Sequence, residues 1–203
     1  MDYETGIDKN CLEDVRWFSS HAESGDVIVV TLNARPGGEP AARRSWLEQQ
    51  VGADKVPIDV TEKDLAPAKF AALSKRIVLA EIQDLLSQRN GVLGGDERLN
   101  YQTLFNFRYA DGVEMVTAGG IISRAADQNL LERCRFAELQ FVTDDAEFRI
   151  EVPDLSFREV REIDAKLPQL VVKDLEHLSI SDTDISNYAT LYRYFPSFAE
   201  AEL

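Results

Sequence analysis

Cysteine, histidine and long apolar runs are all scarce in this chain, and each scarcity excludes something. The two cysteines, Cys11 and Cys134, and the two histidines, His21 and His177, lie far apart in 203 residues. Such spacing offers no metal-ligand signature and no disulfide framework, so no metal is expected. The longest branched apolar run, Val27-Ile28-Val29-Val30, is far shorter than the ~18 consecutive apolar residues of a membrane span. The N-terminus, Met1-Asp2-Tyr3-Glu4, is acidic and lacks the apolar core of a secretory signal. A soluble, cytoplasmic protein without a membrane partner is the expectation. No serine stands in a G-x-S-x-G elbow, and no G-x-G-x-x-G fingerprint is present.

Positive charge is also in short supply. Lys and Arg number 22 against 36 Asp and Glu, a net charge of −14. Nucleic acid is normally bound through a cationic stripe that releases counterions. The nearest feature here is the pair Arg43-Arg44, so direct nucleic-acid binding is not expected. Hydrophobic residues make up 44% and charged residues 29%, ordinary proportions for a globular domain with a packed core.

Local patterns organise the chain. Leu12, Val15 and Phe18 recur at helical spacing after Asp8 and Asn10, either of which can cap a helix running to His21. The Ser24-Gly25-Asp26 turn delivers Val27–Leu32, whose continuous hydrophobicity predicts a strand covered on both faces. Pro40 opens a second helix that Gly52 ends. Val56–Val60 reads as a short extended piece, and Thr61 with Asp64 as a capping-type start to a long helix from Pro67 to about Gln88. Leu104–Tyr109 alternates with period two, Asp111-Gly112 is a hairpin turn, and Val113–Ile122 returns antiparallel. A helix around Asn129–Cys134, strands at Leu139–Val142 and Phe148–Val152, and a capping box at Ser156-Phe157-Arg158-Glu159 follow. Tyr188, Tyr192, Tyr194, Phe195 and Phe198 form an aromatic C-terminal cluster that reads as a docking surface onto the domain.

This order of elements resembles the second half of a class I, Rossmann-like S-adenosylmethionine-dependent methyltransferase. The stretches Asp2-Tyr3-Glu4, Val29–Ala34, Phe105–Gly112, Met115–Gly120 and Tyr192–Pro196 are similar to a bacterial family of O-methyltransferases. The resemblance implies that residues 1–5 end strand four, that Val27–Leu32 is buried strand five, and that Phe105–Ile122 is the hairpin of strands six and seven. The fold expected is α/β: a partial Rossmann-like, mostly parallel sheet with that antiparallel hairpin over residues 1–122. A C-terminal α+β extension over 123–203 packs on it as one unit. The Gly-rich turn and ribose-binding acid of such enzymes do not follow Met1, so the chain reads as lacking the cofactor half. It is expected to bind S-adenosylmethionine poorly and to be weak or inactive alone. Self-association, or a protein partner completing the sheet, is expected in consequence. The alternative reading is a non-catalytic, acidic interaction module.

Ligands in open α/β sheets gather outside the carboxyl ends of strands, which directs attention to Asp2, Tyr3 and Glu4 and to Asn33 and Arg35. Within the resemblance, Asp2 or Glu4 orients or deprotonates an acceptor hydroxyl, and Tyr3 stacks or hydrogen-bonds; the plainer reading is polar residues at a frayed terminus. Asn33 and Arg35 are the substrate-binding candidates at the second strand end. Asp2 with Asn33 matches only part of the acid set of metal-dependent catechol-type methyltransferases. Arg108 forks onto an anionic substrate or forms a structural ion pair.

Overall fold

The computed structural model describes residues 1–139, 141–142 and 146–194, with the backbone only of Asp111. Phe195, Pro196, Phe198 and Gln140 therefore lie outside the described residues. The chain divides into two compact units, 1–149 and 150–203.

The first unit begins with β1 (Asp2–Tyr3) and α1 (Lys9–His21). Asp8 caps α1 by accepting from the Cys11 amide at 2.8 Å, which satisfies a free N–H of the first turn. β2 (Val27–Asn33) follows, then a 3-10 turn at Pro40–Ala42 and α2 (Arg43–Val51), closed by Gly52 at φ +99°. α3 runs from Pro67 to Asn90, β3 from Leu99 to Asp111 and β4 from Val113 to Arg124. α4 (Gln128–Cys134) follows, and β5 (Phe148–Ile150) runs across the 149/150 boundary.

The sheet order is β1-β2-β4-β3-β5. β1 runs parallel to β2, while β4 is antiparallel to both β2 and β3. Three of these four strands therefore share one direction although only one adjacent pair is parallel, and the sheet is mixed. Asp111 pairs directly with Val113, so Gly112 alone turns the chain at φ +70°, a conformation glycine adopts without steric cost.

Register decides which side chains share a face. Leu32, Val116 and Arg108 stand in line across β2, β4 and β3; Asn33, Met115 and Tyr109 form the next line and point to the other face. The first face is the covered one. Ile28, Val30 and Leu32 join Cys11, Leu12 and Val15 of α1 and Phe70, Leu73, Ile77 and Ile82 of α3 in a single core. On the other face Val29, Thr31, Thr117, Phe105 and Phe107 are only partly buried, and Val27 is 46% exposed. The expectation of two covered faces for Val27–Leu32 is thus corrected: its apolar run is buried on one side. Thr31 and Thr117 meet there at 2.9 Å, hydroxyl to hydroxyl.

Val56–Val60 is a turn rather than a strand, with the Val60 amide donating to the Pro57 carbonyl at 3.2 Å. Val56 and Val60 are buried as anchors while Ile58 at the tip is exposed. Asp64 accepts from the Thr61 amide and hydroxyl, closing a turn ahead of α3; the helix itself starts at Pro67, suited by its fixed φ to the first helical position. Leu139 and Val142 close a turn, Val142 N–H to Leu139 carbonyl at 3.0 Å, where a strand was expected. The first unit reaches in sequence to 149, so the segment after β4 up to that point lies within it. The Phe141 ring stacks on Phe105 at 6.3 Å and Phe148 meets Phe107 edge-on at 6.0 Å, which binds that segment to β3.

The second unit holds α5 (Phe157–Asp164) and α6 (Asp182–Leu191) around Ile163, Leu175, Ile185 and Tyr188. The Ser156–Glu159 capping box is formed as the sequence predicts.

Candidate functional site

Parallel pairing of β1 with β2 brings two carboxyl ends side by side, with Asp2 opposite Thr31 and Tyr3 opposite Leu32. The next residues, Glu4 and Asn33, begin the two loops. Asn33 ties these loops together: its side-chain N–H donates to the Glu4 carbonyl at 3.3 Å, and its side-chain oxygen accepts from the Arg35 amide at 2.9 Å. Gly6 turns the first loop at φ +78° against the Asn33 carbonyl. The side chains of Asp2, Glu4 and Arg35 are exposed and make no hydrogen bond or ion pair among the described residues. Two carboxylates and one guanidinium thus stand unengaged beside an asparagine whose amide is hydrogen-bonded through both its nitrogen and its oxygen.

Tyr3 differs from its neighbours because it points to the covered face. It packs on the core, and its hydroxyl donates to the Asp14 carboxylate of α1 at 2.5 Å. Burial first, and then that hydrogen bond with the nearby acids, raises its phenol well above the ordinary value. Tyr3 is a tether between β1 and α1. Cys11 lies beneath it, its thiol pushed up to about 12 by burial and by Asp8 and Asp14, so it stays a thiol.

Arg108 stands apart from this group. It lies on the covered face, 7% exposed, donating to the Ala68 carbonyl at 3.0 Å and pairing with Glu114 and, at 3.5 Å, with Glu147. Burial lowers its pKa, but the hydrogen bond to Glu114 and the charge of Glu147 outweigh that and leave it raised. Register sends its side chain to the opposite face from Asn33. The structure therefore brings Asp2, Glu4, Asn33 and Arg35 together, and sets Tyr3 and Arg108 into the framework behind them.

The framework contains a residue that sequence patterns do not reveal. Glu81 of α3 is 2% exposed and pairs with Arg16 of α1 at 2.9 Å and with Lys55 of the α2–α3 loop. A glutamate in a long helix reads as surface; only the fold brings two cations to it. Asp14 was likewise invisible as the partner of Tyr3.

Residues 1–203 match the model of a family described as "Putative O-methyltransferase". The chain belongs to that family. No curated protein and no solved structure matches it.

The family implies S-adenosylmethionine in general, and the glycine pairs test whether a cradle for it is present. A side chain on Gly37 would meet the Trp46 ring at 2.5 Å, so that space is filled from within. A side chain on Gly119 would meet the Ile28 carbonyl and one on Gly120 the Gln102 carbonyl; these glycines let neighbouring strands close up. Gly94-Gly95 opens a 3-10 turn after α3 and has nothing near it. Gly37-Gly38 lies between β2 and the helical turn at Pro40, but the Trp46 ring fills its space, and neither other pair stands between a strand and a helix. None of the three pairs fits the cofactor as such a turn does. Among the described residues, no group of three or more His, Cys, Asp or Glu could hold a metal ion, and no helix is long and apolar enough to cross a membrane.

Proposed function

We propose that this O-methyltransferase-family chain carries the acceptor side of a methyl-transfer site at the carboxyl ends of β1 and β2, and binds S-adenosylmethionine weakly by itself. The observation that carries the reading is the pair of uncommitted carboxylates, Asp2 and Glu4, beside uncommitted Arg35 at two adjoining parallel strand ends. The strand order β1-β2-β4-β3, with β4 alone reversed, supports the finer assignment to the second half of a Rossmann-like methyltransferase. One of Asp2 and Glu4 accepts the proton of an acceptor hydroxyl or orients it. Arg35 holds an anionic group on the same molecule, as a guanidinium does with carboxylate or phosphate. Asn33 positions both loops, and Arg108 supports the framework.

Calorimetric titration of the chain with S-adenosylmethionine and with its demethylated product tests this reading. Dissociation constants of about millimolar or weaker are expected, because a partial pocket must offset the ~4–15 kcal/mol lost on association. Low-micromolar binding would overturn it.

A second reading, an interaction module, is favoured by one observation. β1 covers only part of the seven-residue β2, and the face carrying Val29, Thr31 and Phe107 is half-exposed. Open strand edges pair with other chains, so self-association, or a protein partner completing the sheet, is proposed. Sedimentation showing a clean monomer at high concentration, and no partner, would count against it.

A further inference from the structure

At the end of the first unit away from the β1 and β2 carboxyl ends lies a cleft of about 340 Å³. Its walls come from four places in the chain: Glu23 and Ser24 of the α1–β2 turn, Arg89 and Leu93 at the end of α3, Glu97 and Leu99 at the entry to β3, and Arg124 at the end of β4. Volume alone says little, although it lies within the roughly 300–1,000 Å³ of small-molecule sites. The composition says more: two guanidiniums, two carboxylates and two leucines.

Both guanidiniums are held in place by contacts that leave other N–H groups over. Arg89 uses one terminal nitrogen on the carbonyls of Ser19 and Ala22, at 2.9 and 2.6 Å, at the end of α1. Arg124 gives its Nε to Asp127 at 2.9 Å, and Asp127 in turn is held by the Ser24 hydroxyl at 2.6 Å. A further Arg124 nitrogen approaches Glu97 at 3.6 Å, too far for a hydrogen bond. Groups fixed in this way lose little freedom when a ligand arrives. The Glu23 side chain makes no hydrogen bond or ion pair among the described residues.

Charges of both signs in one cleft disfavour a simple anion, which Glu23 and Glu97 would repel, and equally a simple cation. We infer that the cleft takes a small zwitterion with an apolar side chain, of α-amino-acid type. Arg89 and Arg124 receive its carboxylate, Glu23 and Glu97 its ammonium, and Leu93 and Leu99 its side chain. The inference does not rest on the methyl-transfer reading, since it uses other residues at the other end of the sheet.

Amide- and methyl-resolved NMR titration of the full chain with L-leucine as probe tests it. Saturable shifts are expected at Ser24, Leu93, Leu99 and Arg124 at millimolar concentrations. 4-Methylpentanoate lacks the ammonium and 3-methylbutylamine lacks the carboxylate. Each is expected to bind about tenfold more weakly or worse, the loss of a charge-assisted hydrogen bond. Arg124→Gln and Glu23→Gln should weaken L-leucine by a similar factor while leaving the thermal midpoint nearly unchanged; Arg89 is not substituted because it also caps α1. No saturable shift with L-leucine up to about 50 mM, a concentration that would reveal even millimolar binding, overturns the inference. Equal binding of all three probes, or an unaltered affinity in both variants, overturns it as well.

Discussion

The Asn33 side chain bridges the Glu4 carbonyl and, through its oxygen, the Arg35 amide, at 3.3 and 2.9 Å. One residue thereby fixes the spacing of the two strand-end loops, while the charged side chains on those loops stay unengaged. In the proposed site, Asn33 therefore acts as a positioning residue, and its neighbours are the groups open to a ligand.

That division of labour predicts different costs. Asn33→Ala should destabilise the first unit by about 1–2 kcal/mol, two hydrogen bonds to backbone groups being lost. Asp2→Asn, Glu4→Gln and Arg35→Gln should each fall within about 0.5 kcal/mol of the parent, as for exposed side chains without partners. Urea unfolding of the four variants is the check. A larger loss in Glu4→Gln than in Asn33→Ala would reverse the assignment.

Glu81 predicts a larger effect than its exposed partner Arg16. Glu81→Ala removes the carboxylate shared by Arg16 and Lys55 at the α1–α3 interface; because both cations reach solvent, the loss is expected below the ~3–5 kcal/mol of a fully buried pair. Arg16→Ala should cost less, because Arg16 is 41% exposed and Glu81 keeps Lys55. Denaturant titration ranks the two.

The two cysteines should react at very different rates. Cys11 is buried with its thiol pushed up to about 12, whereas Cys134 is exposed, and the thiolate is the reacting form. A thiol reagent at neutral pH should modify one thiol per folded chain, assigned to Cys134 by peptide mapping. Rapid reaction at Cys11 would mean that β1 and α1 open readily.

Alkaline pH should loosen the second unit through Tyr188. Burial first, and then its hydrogen bond to Asp164 at 2.9 Å, pushes the phenol from 10.0 up to about 12. The folded state thus favours the protonated form. Its contribution is complete below about pH 10, the unfolded value, and is lost as pH rises through 12. Following the α6 signal with pH should show Tyr188→Phe losing that dependence.

Much of the fold is legible in the sequence because its signals are local. Asp8 caps α1 and Ser156 opens α5 through bonds to residues within a few positions, and Gly112 turns the hairpin through its own positive φ. One-sided burial of β2 was not legible, since Val27-Ile28-Val29-Val30 is apolar at every position and carries no alternation to mark an open face. Val56–Val60 has the composition of a strand, but Pro57 and the capture of the Val60 carbonyl by Arg44 at 2.9 Å make it a turn. At the site, the rule that ligands gather at strand ends was enough to group Asp2, Glu4, Asn33 and Arg35. It was not enough to place Tyr3 and Arg108, because which face a strand residue takes depends on register with a distant strand. The cleft formed by Arg89, Arg124, Glu23 and Glu97 is assembled from residues too far apart in sequence to form a motif.

Asp2, Glu4 and Arg35 stand without side-chain partners among the described residues at the β1 and β2 carboxyl ends, and none of the three glycine pairs forms a cradle for the cofactor. Residue-resolved NMR titration with S-adenosylmethionine tests this most directly. Weak, fast-exchange shifts confined to residues 2–6 and 33–38 are expected. Tight, slow-exchange binding, or shifts centred on Gly94-Gly95 or Gly119-Gly120, would contradict it.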